Sequence, residues 1–287
     1  MVEPPLPVVM TPAHVLATNS MSPDALRRQQ RVFTGAYVAT DAVVDETLRW
    51  MALRAAVGPL PVWAGTTAGR MHGAPIGRES DPLEMVGPTS GHHRHREGVV
   101  MRRLTLEPVD IVASPYGPCL SPLRTAIDLS ARARHPWQIG AVDQLLRLTQ
   151  LSPSEVLSAL DEERFRGMRG RRIARQALVL ADPRSESVPE SELRLRLVQI
   201  GLPTPEPQLV VADVDGTFIG RLDLGWRRWR LGLEYDGRYH DDPEQYARDR
   251  RRHNRFRAAG WTVYQVDRST ARDSSALTRM LRPHFRD

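Results

Sequence analysis

Two short stretches in the last third of the chain leave little freedom in how it folds. Gly220-Arg221-Leu222-Asp223-Leu224 alternates polar and apolar side chains, and the run Leu233-Glu234-Tyr235-Asp236-Gly237, whose Glu234 lies eleven residues after Asp223, alternates again. Successive side chains of an extended strand point to opposite faces, so Glu234 and Asp236 share one face and Leu233 and Tyr235 the other. Asp223 is expected to behave likewise, with Leu222 and Leu224 turned from it toward a core. If the two strands pair, three carboxylates converge on one spot. Clustered acids repel one another unless a cation neutralises them, and Mg2+ prefers one or two carboxylates together with water and substrate phosphates. The pattern points to a metal-dependent phosphodiesterase site served by Mg2+ or Mn2+.

The elements around this pair follow from periodicity and punctuation. Residues 187–200 read as a helix with Glu190 early in it, Leu193, Leu195, Leu197, Val198 and Ile200 as its apolar contacts, and Gly201 and Pro203 as its stop. Residues 208–211 and 217–224 read as a strand pair around the turn Asp213-Val214-Asp215-Gly216. A third strand spans 230–235, a second helix 244–259 closed by Gly260, and a fourth strand 261–266. This α-β-β-β-α-β order resembles the restriction-endonuclease core. Pro189-Glu190-Ser191, Arg221-x-Asp223-Leu224, Glu234-Tyr235-Asp236-Gly237, His240, Asp249-Arg250-Arg251-Arg252 and Gly260-Trp261-x-Val263 resemble, in order, the Vsr-like endonuclease relatives of actinobacterial genomes. An exposed acid at a strand end is ordinarily just solvated; here the ordered combination carries the reading.

The resemblance implies Asp223 as the central metal ligand, Glu234 and Asp236 completing the site, and Glu190 approaching from the first helix. His240 matches the histidine such enzymes place beside the metal for proton transfer. The superfamily signature ends in a lysine two residues after the acid, where this chain has Asp236, and all 40 basic side chains counted as Lys and Arg are arginine. His240, whose unperturbed pKa lies near neutrality, is then the candidate base.

Composition sets the frame for the remainder. A length of 287 residues admits two domains, each with its own core, and 41% hydrophobic with 26% charged residues is ordinary for a soluble protein. The formal charge of +6 and a pI near 10.1 favour a polyanionic partner, DNA foremost. A single cysteine, Cys119, excludes an internal disulfide framework and a multi-cysteine zinc site. No apolar run is long enough for a membrane span and the start lacks the character of a secretion signal, so no membrane partner and a cytoplasmic location are expected.

From the beginning, the chain offers helices at 12–18 and 22–30, the second capped by Ser22, then a hairpin at 31–38. This resembles the reduced winged-helix segment of AbiEi-type antitoxin proteins, although the second helix carries only Arg27 and Arg28 for reading bases. A helix at 41–57, a segment at 66–72 within Thr67-Ala68-Gly69-Arg70-Met71-His72-Gly73, and strands at 99–103 and 109–112 continue this half. The three histidines of His92-His93-Arg94-His95 lack zinc-like spacing and read as a basic loop. Cys119-Leu120-Ser121-Pro122-Leu123-Arg124-Thr125-Ala126-Ile127-Asp128-Leu129 resembles the middle region of the same family and opens a helical stretch with helices at 139–147 and 152–160.

Two arginine-rich stretches stand out. Arg164, Arg166, Arg169, Arg171, Arg172 and Arg175 follow Glu162 and Glu163, and read either as a phosphate track or as a solvated helix face. In the helix at 244–259, Arg248, Arg251, Arg252 and Arg255 fall on one face beside the carboxylates, as a phosphodiester partner requires; Arg194 of the earlier helix joins them as a candidate nucleic-acid contact.

The reading is thus an α/β chain with an antitoxin-like α+β region of degenerate winged-helix character at 1–115, a helical linker at 116–184 and a restriction-endonuclease-like domain at 185–287. Its expected function is metal-dependent hydrolysis of DNA phosphodiester bonds. The alternative is a non-catalytic DNA-binding regulator of antitoxin type that uses the nuclease fold as a scaffold; a third option is a protein-interaction module.

Overall fold

A computed structural model describes residues 8–87, 96–236 and 243–285, with backbone alone for 243–247 and 249. The chain forms two compact units, Met1–Asp128 and Leu129–Asp287. The first opens with helices α1 (Pro12–Thr18) and α2 (Pro23–Arg27) and the hairpin β1 (Gln30–Phe33) and β2 (Ala36–Val38). Thr11 and Ser22 cap the helices through their hydroxyls, at 3.2 and 3.1 Å from the His14 and Ala25 amides. Met10, Val15 and Leu26 form a small core of their own beneath Met21 and Tyr37.

Helix α3 (Glu46–Val57) starts later than the periodicity from Asp41 suggests, because Asp45 receives the Leu48 amide at 2.7 Å and so terminates the helix at its own position. Strand β3 (Val62–Trp63), helix α4 (Gly65–Met71) and strands β4 (Leu83–Val86), β5 (Val99–Arg102), β6 (Ile111–Val112) and β7 (Cys119–Leu120) follow. The strands join in the order β5-β4-β3-β7-β6. Trp63, Leu53, Leu83, Met85 and Leu120 are fully buried at the centre. Arg54 shows how arginine is spent inside: it donates to the carbonyls of Tyr116, Gly58 and Pro61 at 2.9, 3.0 and 2.7 Å and lies over the Trp63 ring. Arg102 likewise bridges Asp128 and Glu84.

Helix α5 (Pro122–Ser130) leads into the second unit. There α6 (Pro136–Thr149), α7 (Pro153–Leu160) and α8 (Arg171–Leu180) precede α9 (Val188–Gln199), then β8 (Glu206–Ala212), β9 (Phe218–Trp226), β10 (Leu231–Asp236), α10 (Pro243–Ala258) and β11 (Thr262–Asp267), with α11 (Arg268–Arg272) and α12 (Ser274–Leu281) at the end. The α-β-β-β-α-β order expected from the sequence is the one observed. The strands lie in the order β11-β10-β9-β8; β8, β9 and β10 run antiparallel in turn and β11 parallel to β10.

Helices cover this sheet on two sides. Leu193 and Leu197 of α9 pack with Leu224, Leu231, Leu233 and Val266, joined by Leu277 and Leu281 of α12. Phe256 of α10, 1% exposed, packs with Leu209, Val211, Ile219 and Leu222. The fit of α10 on β9 depends on Gly220, where a Cβ would sit 2.8 Å from the Phe256 ring.

Strand β9 departs from the expected alternation. Leu222 belongs to the α10 cluster and Leu224 to the α9 cluster, so the two leucines flanking Asp223 go to opposite sides instead of one core. Opposite Asp223, between the pairs Pro207↔Leu224 and Leu209↔Leu222, Gln208 has a φ of 53°. A left-handed residue inside a strand reorients the pleat, and such strain collects at sites with a local purpose.

Candidate functional site

The carboxylates of the second unit are brought near one another by elements on different sides of the sheet. Glu190 lies in the first turn of α9, whose N-cap is Ser187. Its Oε1 accepts from the Ser187 hydroxyl at 2.8 Å, and its Oε2 from the Glu186 amide at 2.9 Å and from Gln208 Nε2 at 2.7 Å. The left-handed backbone of Gln208 accompanies the turn of its amide toward this acid. Burial pushes the Glu190 carboxyl up, and the charge of Asp223 adds to the rise against these hydrogen bonds.

Asp223 receives the Tyr235 amide on Oδ2 at 2.7 Å, which fixes β9 against β10 just past their last paired residues, Leu224 and Leu233. Burial raises its pKa, the Tyr235 amide opposes that, and the Glu234 charge adds to it. Glu234 is 8% exposed and faces α10: its Oε2 lies 3.1 Å from Arg252 Nη2 and 3.4 Å from His253 Nε2. That direction agrees with Gly232, whose Cβ would meet Leu222 of the α10 cluster, while Leu231 and Leu233 belong to the α9 cluster. The cation beside Glu234 therefore comes from α10, not from position 236, which holds an aspartate.

Asp236 is exposed at the end of β10, across from Asp267, whereas Glu190 and Glu234 are buried. His240 lies outside the described residues, as do His92, His93 and His95. Among the described residues, no group of three or more His, Cys, Asp or Glu side chains is placed to hold a metal ion. The split explains this: Glu190 is engaged at the start of α9, Glu234 is engaged by α10, and Asp223 stands between.

The basic candidates divide similarly. Arg248 and Arg251 are exposed on α10. Arg252 is turned into Glu234, and Arg255 donates to the Phe218 carbonyl at 2.6 Å. Arg194 corrects the sequence reading: it is 4% exposed, pairs with the fully buried Asp143 at 2.9 Å and donates to the Leu180 carbonyl at 2.9 Å. A guanidinium so enclosed ties α6 to α9 and is not a surface cation. Even with Arg194 alongside, burial pushes the Asp143 carboxyl up to about 6. Of the stretch at 164–175, Arg164 pairs with Glu162 at 2.7 Å, Arg166 with Glu163 at 2.8 Å, and Arg171 and Arg175 share Asp161. All four are paired with acids; Arg166 and Arg175 are exposed, whereas Arg164 and Arg171 are partly buried.

Sequence reasoning passed over Gln208 and His253. The first was readable once the β8–β9 register was set, since it stands opposite Asp223; the second is one residue along from Arg252 on the helix that covers Glu234. Glu186 and Arg221, paired at 2.8 Å, form the outer edge of the same cluster.

Residues 62–180 match the family model of the AbiEi antitoxin C-terminal domain, a stretch of less than half of the chain. It runs from β3 to the end of α8, includes the antitoxin-like segments at 67–73 and 119–129, and leaves the hairpin of β1 and β2 outside. The chain is 35% identical over 147 residues to Uncharacterized protein MT2308 of Mycobacterium tuberculosis strain CDC 1551 / Oshkosh, covering 51% of this chain and 53% of the relative. The same values hold for Uncharacterized protein Rv2248 of strain ATCC 25618 / H37Rv. The chain thus spans about half the length of the curated relatives it matches. The crystal structure of the RV2827C protein from Mycobacterium tuberculosis aligns with a TM-score of 0.37 and 18% identity over 69% of this chain and 73% of that one. No helix among the described residues is long and apolar enough to cross a membrane.

Proposed function

We propose that this chain is a non-catalytic DNA-binding regulator of antitoxin type, with the sheet of its second unit serving as a scaffold. The observation that carries the reading is the match of residues 62–180 to the AbiEi antitoxin C-terminal domain. Net charge and helix α10 support it from the side of physics. Arg248 and Arg251 are exposed on one face of that helix, and each phosphate a cation neutralises releases counterions. Helix α2 adds little to base reading, since it has five residues and Arg27 is paired with Asp24 at 2.6 Å. Binding is therefore driven by phosphate contacts. Anisotropy titrations of labelled duplex DNA with the full chain, from about 50 to 200 mM salt, test this: affinity is expected to fall steeply with salt, with a slope of about 0.9 per neutralised phosphate. Absence of binding at the low-salt end would remove the proposal.

A second reading is favoured by the mutual influence of Glu190, Asp223 and Glu234: a metal-dependent DNA endonuclease of the restriction-endonuclease type, with Asp223, Glu234 and Asp236 as ligands for Mg2+ or Mn2+ and Glu190 and His240 assisting. Perturbed carboxylates gathered in one place are typical of reaction centres. In the observed placement, however, Arg252 and His253 are on Glu234, the Tyr235 amide is on Asp223, and Gln208 is on Glu190. These side chains as placed do not fit a divalent ion. The endonuclease reading requires Arg252 and His253 to leave Glu234 when substrate arrives.

A further inference from the structure

Away from the carboxylates, a groove of about 680 Å3 lies between the start of α6, the length of α8 and the end of α9. Its size is in the usual range of binding clefts, roughly 300–1,000 Å3. Ile173, Ala177 and Leu180 of α8 line it at the spacing i, i+4, i+7, with Ile139 of α6 facing them. Three residues so spaced form one stripe about 10 Å long, in which Ala177, like the facing Ile139, lies at the floor, while Ile173 is half-buried and Leu180 exposed. Also in its lining, Val179 is 74% exposed. The polar lining is one-signed: Arg134, Arg172 and Arg175 contribute, and no Asp or Glu does. Arg175 is shared with Asp161, whereas Arg134 and Arg172 have no acidic partner among the described residues.

From this geometry we infer that the α6–α8 groove is a docking site for an acidic amphipathic helix of a partner protein. Ile173 and Leu180 of this stripe accept apolar side chains from one face of a helix, which lies over the floor formed by Ala177 and Ile139, the mode by which helices lie in grooves. Glu or Asp on that helix meets Arg134 and Arg172 in the lining, which excludes basic segments. A single-stranded nucleic acid fits less well, because no Phe, Tyr or Trp lines the groove to stack a base. Duplex DNA makes its contacts through phosphates and base edges and leaves an apolar stripe unused. The site is independent of the DNA reading, and either stands if the other fails.

The test uses the full chain and a fluorescein-labelled synthetic helix of about five turns, with Leu at i, i+4 and i+7 and Glu on both flanks. Controls are a peptide of the same composition with its leucines spread around the helix, one with Lys in place of Glu, and a single-stranded oligo-dT. The amphipathic acidic peptide is expected to bind at least about tenfold tighter than each control, and Arg134→Glu with Arg172→Glu to weaken it by about tenfold or more. Val179→Glu, at a position 74% exposed, should weaken it too without lowering the thermal midpoint. Equal binding of the scrambled peptide, unchanged binding by the double variant, or capture of oligo-dT in place of the peptide would each overturn the assignment.

Discussion

The segment at 161–175 and helix α10 read alike, each dense in arginine with a few acids nearby, yet the fold spends them differently. In the first, three consecutive acids take four of the six arginines, two of them within three residues and the other two from the helix that follows. In α10, Arg252 reaches Glu234 eighteen residues back and Arg255 reaches Phe218 thirty-seven back, while Arg248 and Arg251 are exposed. Counting charges in a window does not measure a basic surface. Local acids take up a run of arginines cheaply; in α10 a distant acid and a distant carbonyl use two arginines to dock the helix.

Arg194 is wholly consumed by the fold, through an acid 51 residues away, and gives the largest expected effect. Arg194→Ala strands Asp143 as an uncompensated buried charge, which should cost about 3–5 kcal/mol in urea unfolding. DNA affinity per folded molecule should not change. A loss of affinity without loss of stability would put Arg194 on the binding surface after all.

Next comes the contrast itself. Replacing Arg248 and Arg251 by Ala should weaken duplex binding by about tenfold or more near 0.1 M salt and reduce the salt slope by about one per lost contact. The matched pair Arg164→Ala with Arg166→Ala should change affinity by less than about twofold. Equal losses from both pairs would erase the difference between the two stretches.

A smaller effect is expected where the acids meet. Glu190 and Asp223 are raised above the ordinary carboxyl range, in both cases first by burial. A carboxyl raised on folding contributes stability that is complete below its unfolded value, about 4, and lost as pH climbs through the folded value. At pH 7 both ionised forms therefore burden the fold. Asp223→Asn keeps an acceptor for the Tyr235 amide and should raise the urea midpoint at pH 7, the gain shrinking as pH is lowered toward 4. A loss at pH 7 would mean that the charge is wanted where it is, for instance by Arg221.

The smallest change concerns Arg166, which is exposed and paired with Glu163 three residues away. Arg166→Ala alone should alter stability by less than about 0.5 kcal/mol. A cost well above that would show the local pairs to be structural.

The second unit was largely legible in the sequence because its signals are local. Apolar alternation, Gly201 and Gly260 as stops and the Asp213–Gly216 turn place α9, β8 to β10, α10 and β11 within one or two residues of where they lie. What was not legible depends on contacts between elements. Nothing near Asp223 announces that β9 changes face there; the positive φ that lies opposite belongs to Gln208 on a neighbouring strand. The pairing of Glu234 with Arg252 and His253 follows from how α10 docks through Phe256. In the first unit, β3 and β7 have two residues each, too few to show a period, and β4 buries all four of its side chains, Glu84 included, so it shows no alternation. The mutual closeness of the acids was readable; their division between the two covering helices was not.

The most direct measurement combines a supercoiled plasmid with the full chain, in Mg2+, in Mn2+ and with chelator, beside the Asp223→Ala variant, scoring both mobility shift and strand breaks. The account predicts a salt-sensitive shift that Asp223→Ala retains, with the plasmid intact in every condition. Nicking or linearisation that needs the metal and vanishes in Asp223→Ala would contradict it and establish the carboxylates as a reaction centre.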